Sequence, residues 1–139
     1  MHFQKATKKT FWMFNRKEDL INMSEIQRPI NKHKGYHAHV YFEQETLAFA
    51  TGLCDKVGEL FGLKIGAVHR QPVGPHPKWS CQITFGKKHF EELIPWLDEN
   101  RNDLTILVHG VTGDDIKDHT EYVYWLGYSV QLDLSIFGL

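Results

Sequence analysis

The stretch Gly35-Tyr36-His37-Ala38-His39-Val40-Tyr41-Phe42 constrains the fold more than any other part of the chain. Side chains of a strand alternate between its two faces with a period of two. Tyr36, Ala38, Val40 and Phe42 therefore form an apolar face, and His37 and His39 stand together on the other. Two adjacent imidazoles offer neutral nitrogen ligands that titrate near neutral pH, which is the beginning of a metal site or an acid–base site. The same spacing also suits two histidines on an exposed strand face, so the rest of the chain has to decide.

The 139 residues suffice for one domain with a core and are too few for two of ordinary size. Apolar content of 42% and charged content of 24% are those of a soluble globular protein. A formal charge of −1 gives no reason to expect nucleic acid or an anionic membrane as partner, and no run is long enough to span a bilayer. Cys54 and Cys81 have no framework spacing and read as reduced thiols of a cytoplasmic protein. Of the nine histidines, eight lie between positions 33 and 119.

Residues 1–32 are set apart as an N-terminal extension and residues 33–139 as the domain. The first 22 residues carry a net charge of +3, and their apolar piece Phe11-Trp12-Met13-Phe14 is too short for a signal-peptide core. They read either as a disordered basic tail or as upstream sequence ahead of a natural start at Met23.

After the first strand, Ala50, Leu53, Cys54, Val57, Leu60 and Phe61 predict a helix over 46–61, closed by Gly62. Residues 64–70 predict a second strand with Val68 inward and His69 on the opposite face. Three prolines exclude regular structure from Pro72 to Pro77. Trp79, Cys81, Ile83 and Phe85 mark a third strand. Phe90, Leu93, Ile94 and Leu97 mark a helix over 88–101, with a kink or restart expected at Pro95. Leu104, Ile106 and Val108 mark a fourth strand ending at His109. Asp118 and Glu121 form a capping-box pattern ahead of an apolar stripe Tyr122, Trp125 and Leu126, predicting a short helix. Alternation from Val130 to Ile136 predicts a last strand.

This order is the ferredoxin-like βαββαβ arrangement of an α+β fold, with a C-terminal helix and an extra strand. Its sheet order 4-1-3-2 puts strands one and four side by side and antiparallel. His37, His39 and His109 then converge on the face away from the helices. That face also carries Tyr41 and Leu107 and needs a cover. The candidates are a second copy packed face to face as a homodimeric α/β barrel, or the chain's own C-terminal elements. His69 shares the open face on an edge strand. His76 sits in a rigid Gly-Pro-His-Pro loop, as a pre-positioned functional group or as loop packing. Arg70 could hold a carboxylate by bidentate hydrogen bonds or be a surface arginine. Trp79 and Trp125 could stack on an aromatic substrate or fill the core.

Several motifs in order then carry a family likeness: Tyr36-His37-Ala38-His39-Val40-Tyr41-Phe42, Pro72 to Ser80, Pro95-Trp96-Leu97 with Asn100-Arg101, Leu107-Val108-His109, Thr112-Gly113-Asp114-Asp115, Asp118-His119-Thr120 and Trp125-Leu126-Gly127. Over about residues 35–128 the chain resembles the DOPA 4,5-dioxygenase family. The resemblance implies extradiol opening of a catechol such as L-DOPA by molecular oxygen, with cleavage between C4 and C5. It implies non-haem iron(II), other divalent metals being compatible. Sites of this kind commonly use two histidines and a carboxylate. Here Glu43 shares the parity of His37 and His39 but lies at the far strand end, so an all-histidine set His37, His39 and His109 is expected. His76 or His69 would act as base or as acid–base partner. His119 joins Arg70 and Trp79 as a candidate substrate contact. Two other readings stay open: a non-catalytic histidine-rich module that carries a metal or a small aromatic ligand, and a metal-independent enzyme acting on phenols.

Overall fold

A computed structural model describes residues 26–139. Strand β1 (Gly35–Phe42) is followed by a 3-10 turn at Gln44–Thr46 and helix α1 (Leu47–Phe61), which buries Ala50, Leu53, Cys54 and Val57. Gly62 caps α1 at φ 65°, the left-handed region that glycine enters without steric penalty. Then come β2 (Lys64–His69), the proline loop, β3 (Trp79–Gly86) and α2 (Lys87–Asn100). β4 (Ile106–Gly110), the four-residue helix α3 (Asp115–Asp118), β5 (Val123–Leu126) and a 3-10 turn at Leu134–Phe137 complete the chain.

The sheet runs β2-β3-β1-β4-β5, and all its pairings are antiparallel. This is the expected 4-1-3-2 order, extended by one strand beside β4. On the helix side, Tyr36, Ala38 and Val40 of β1 meet Cys81, Ile83 and Phe85 of β3, Ile106 and Val108 of β4, and Leu93 and Leu97 of α2. The two-residue alternation of the strands and the helical stripes therefore close on one apolar layer.

Three expectations need correction. The segment 122–126 is not a helix: Val123–Leu126 pairs with Ile106–His109. A run this short fits both periods, and the open edge of β4 decides, because its backbone groups need partners. Asp118 ends α3 instead of capping a later helix. Residues 130–136 do not form a strand: the outer edge of β5 is already taken by the N-terminal segment, where Trp125 N–H donates to the Gln27 carbonyl at 2.8 Å. Helix α2 runs through Pro95 without a break, with the proline ring on its exposed side and Leu93, Ile94 and Leu97 buried. Val68 points to the helix side but is 41% exposed at the sheet edge.

The opposite face holds a second apolar cluster of Tyr41, Leu107, Val123 and Trp125, against which Ile26, Val130 and Leu132 pack. The chain's own tail thus contributes a cover. It is an extended segment pinned by Asp133 N–H to the Pro75 carbonyl at 2.9 Å, not a regular element. Among the described residues no helix is long and apolar enough to cross a membrane.

Candidate metal centre

β1 and β4 pair so that His37 lies opposite His109 and His39 opposite Leu107, with all four side chains on the face away from the helices. Alternation alone sets this arrangement, since Tyr36, Ala38 and Val108 are committed to the core. The ligand nitrogens of His37, His39 and His109 lie within 4.8 Å of one another. His39 Nε2 and His109 Nε2 are 3.1 Å apart. Two imidazole nitrogens about 2.1 Å from one divalent ion would stand about 3 Å apart, so this pair already has the separation that a shared ion requires.

The hydrogen bonds assign tautomers. His109 Nδ1 donates to the Gly110 carbonyl at 2.8 Å, because a carbonyl can only accept. Its Nε2 therefore presents a lone pair in the neutral ring. In the metal-free site His39 Nε2–H donates to that lone pair, and an ion held by both nitrogens takes the place of this proton. His109 is 3% and His39 5% exposed. Burial holds His109 down to about 3 against the raising effect of its bond to Gly110, and His39 lies well below the usual imidazole range. The other histidines lower both further, and His37 is lowered by burial first and His119 second. Burial and repulsion between their protonated forms keep these imidazoles neutral, and a cluster of neutral nitrogen bases suits a cation.

Two further histidines arrive from loops. His76, 8% exposed, lays its ring over His39 with centroids 3.9 Å apart. Its ring is tied to Tyr41 Oη, which lies 2.7 Å from Nδ1. Burial and the neighbouring His119, His37 and His69 hold it down to about 4. His119 stands with its ring 4.3 Å from that of His109. Asp118 receives Thr112 N–H at 2.9 Å and the Thr112 hydroxyl at 2.7 Å, which ties the β4–α3 loop to the end of α3. His119 Nδ1 donates to the Asp115 carbonyl at 2.8 Å, leaving its Nε2 as an acceptor.

Not every candidate joins. His69 lies on the same face, opposite Ser80 of β3, within electrostatic reach of His76. Arg70 is exposed at the end of β2. Of the two readings of Trp79 the placement follows the core one: it pairs with Phe42 and packs on the helix-side core, so strand parity turns it away from the histidines. Trp125 is the tryptophan on the histidine face, 6.2 Å from the Tyr41 ring. Glu43 is exposed and paired with Lys78 at 3.3 Å, away from the cluster. Sequence reasoning missed the Tyr41 hydroxyl as a polar group of the site, although its place two residues after His39 was the available signal. A cavity of about 270 Å³ shares Tyr41 with the cluster and is also lined by Glu43, Lys78, Thr105 and Val130.

The chain is similar to several known proteins. The model of the Dopa 4,5-dioxygenase family matches residues 36–136. The DOPA 4,5-dioxygenase of Amanita muscaria is 33% identical over 111 residues, covering 73% of this chain and 49% of that protein. An uncharacterized 21.2 kDa protein of Botryotinia fuckeliana is 34% identical over 113 residues, covering 73% of this chain and 62% of that one. The chain thus spans between about half and just under two thirds of these curated relatives. A candidate dioxygenase from Nostoc punctiforme, solved by crystallography, matches with a TM-score of 0.73 and 38% identity over 76% of this chain and 92% of that one.

Proposed function

The chain belongs to the Dopa 4,5-dioxygenase family, and from that premise we propose that it opens the ring of a catechol such as L-DOPA with molecular oxygen. The proposed centre is iron(II) on His37, His39 and His109. The observation that carries this reading is the pair of buried Nε2 atoms 3.1 Å apart, one of them with its lone pair already freed by the bond to Gly110. A ferrous ion held by these three histidines would keep positions open for catechol and oxygen together.

The chain's own residues do the rest. Burial keeps the three imidazoles neutral and therefore able to ligate. His119 Nε2 is free to accept a catechol hydroxyl proton, and His76 lays its ring over His39 as a hydrogen-bonding group of the site, with His69 in electrostatic reach. Arg70 is retained only as a substrate contact that a movement of the β2 end would have to bring in. The reaction needs no external reductant, since both oxygen atoms of O2 end in the product, one as an aldehyde and one in a carboxylic acid.

Anaerobic ferrous reconstitution followed by L-DOPA or simple catechols tests the reading. Uptake of one O2 per catechol with a new visible chromophore is expected. Stoichiometric metal with no turnover of any catechol would replace the enzyme by a metal or aromatic-ligand carrier.

A further inference from the structure

Tyr41 stands on β1 two residues beyond His39, on the same face, and is 2% exposed. A phenol is protonated at neutral pH, so the buried hydroxyl has a proton to place. Among the described residues its hydroxyl meets one hydrogen-bonding atom, His76 Nδ1 at 2.7 Å. If His76 Nδ1 carried the ring proton and donated, the phenol O–H would find no acceptor among the described residues. The satisfied arrangement is the reverse: Tyr41 donates and Nδ1 accepts. A neutral imidazole has one N–H, so His76 then carries it on Nε2. The two ring nitrogens point to opposite sides, so Nε2–H is turned away from Tyr41, on a ring whose centroid lies 3.9 Å from that of His39 and 6.2 Å from that of His119.

We propose that Tyr41 is a positioning residue that holds His76 as an Nε2–H donor over the His39–His109 pair, so that His76 is neither a metal ligand nor a base but lends a hydrogen bond to an anionic oxygen of the bound substrates. The inference rests on the proposed function for the identity of that oxygen, but not for the tautomer. It also sorts the histidines by a common rule. His109 and His119 donate through Nδ1 to carbonyls and present lone pairs at Nε2, whereas His76 accepts at Nδ1 and presents a proton. Within one cluster, the bond made by the nitrogen facing away from the site assigns each ring its role.

The tautomer is read directly by nitrogen NMR of histidine-labelled protein, metal-free or loaded with diamagnetic zinc. Protonation of His76 at Nε2 in wild type, lost in Tyr41→Phe, is the expected result. A protonated Nδ1 in wild type, or an unchanged tautomer in Tyr41→Phe, overturns the proposal. The iron-loaded protein gives a second reading. Tyr41→Phe should keep its metal and lose about 10- to 100-fold in kcat with KM for catechol little changed. His76→Gln, whose amide N–H can replace the donor, should retain at least 10-fold more activity than His76→Ala. Equal activity of the two His76 variants would make the group a base, and metal loss in His76→Ala would make it a ligand; either result overturns the assignment. An inactive wild type would sink the dioxygenase reading, and the NMR result would still decide the tautomer.

Discussion

The two faces of the one sheet are built on different terms. The helix-covered face is closed by regular elements. Its side chains are interchangeable in kind, and Ile83, Leu93, Leu97 and Val108 matter for volume and apolarity. The histidine face is closed by a proline loop, a short helix end and an extended tail. Each of His76, His109 and His119 is fixed there by a bond to an atom outside the cluster: Tyr41 Oη, the Gly110 carbonyl and the Asp115 carbonyl. One face stores stability and the other stores orientation. Substitutions on the two faces should therefore fail in different ways.

His109→Ala is expected to have the largest effect. It removes the imidazole whose lone pair is preset, and metal affinity should fall by more than the roughly 100-fold that losing an outer partner costs. Far-UV circular dichroism should stay native, and metal analysis after desalting reads the loss. His37→Ala should behave alike, and retained metal in both variants would break the assignment of the centre to β1 and β4. Leu93→Ala, on the other face, should cost about 2–5 kcal/mol in denaturant unfolding through the cavity it opens. Metal bound per folded chain should not change. If Leu93→Ala also released the metal, the separation of the two faces would be gone.

The same division explains what could be read from the sequence. Tyr36, Ala38, Val40 and Phe42 must be buried whatever the chain does, so their period fixes the face, and by default the place of His37 and His39. Phe90, Leu93, Ile94 and Leu97 do the same for α2. The pairing of His37 with His109 followed from these choices plus the βαββαβ order. The cover of the open face was not legible, because it is not periodic. Tyr122 to Leu126 fits both a helix and a strand, and the free edge of β4 settles it. Val130 to Leu134 alternates like a strand, but the edge it would need is occupied by Gln27. Trp79 carries an aromatic ring suited to a catechol and still faces the core, since residue type does not override parity.

Acid should weaken the histidine face before the helix-covered one. The folded-state values of His76 and His109 are depressed to about 4 and about 3, below the unfolded value of 6.5. In the unfolded chain both rings take a proton below pH 6.5, while in the folded chain they resist it until the folded values are reached. Their contribution to stability is therefore complete above pH 6.5 and is lost as pH falls from there through about 4 and about 3. Each ring can contribute up to about 1.4 kcal/mol per pH unit in that window. Metal-free protein should show this loss in urea midpoints measured between pH 7 and pH 4, and zinc-loaded protein should fall more steeply. In His76→Asn the slope should be shallower by about one proton. An unchanged slope would mean that His76 is not held neutral by the fold.

The smallest effect concerns the tail and asks whether the cover is only packing. Leu132 is half-buried against Tyr41, Leu107 and Trp125, and Asp133 N–H holds the next residue to Pro75, one position before His76. Leu132→Ala removes part of an already partial burial, so its stability cost should be about 1 kcal/mol or less. The same change loosens the segment that covers Tyr41, Leu107 and Trp125 beside the histidines. Release of bound zinc to a chelator should then accelerate several-fold, more than so small a stability change produces through global unfolding. Leu60→Ala, which trims an exposed apolar side chain on the helix side, should leave that rate alone. If Leu132→Ala weakens the fold and leaves zinc release at the wild-type rate, the tail is packing and the ion exchanges by another path. If release accelerates, the histidine face is the side of the sheet that has to open, which fits a cover made of loop and tail while the helices close the other side.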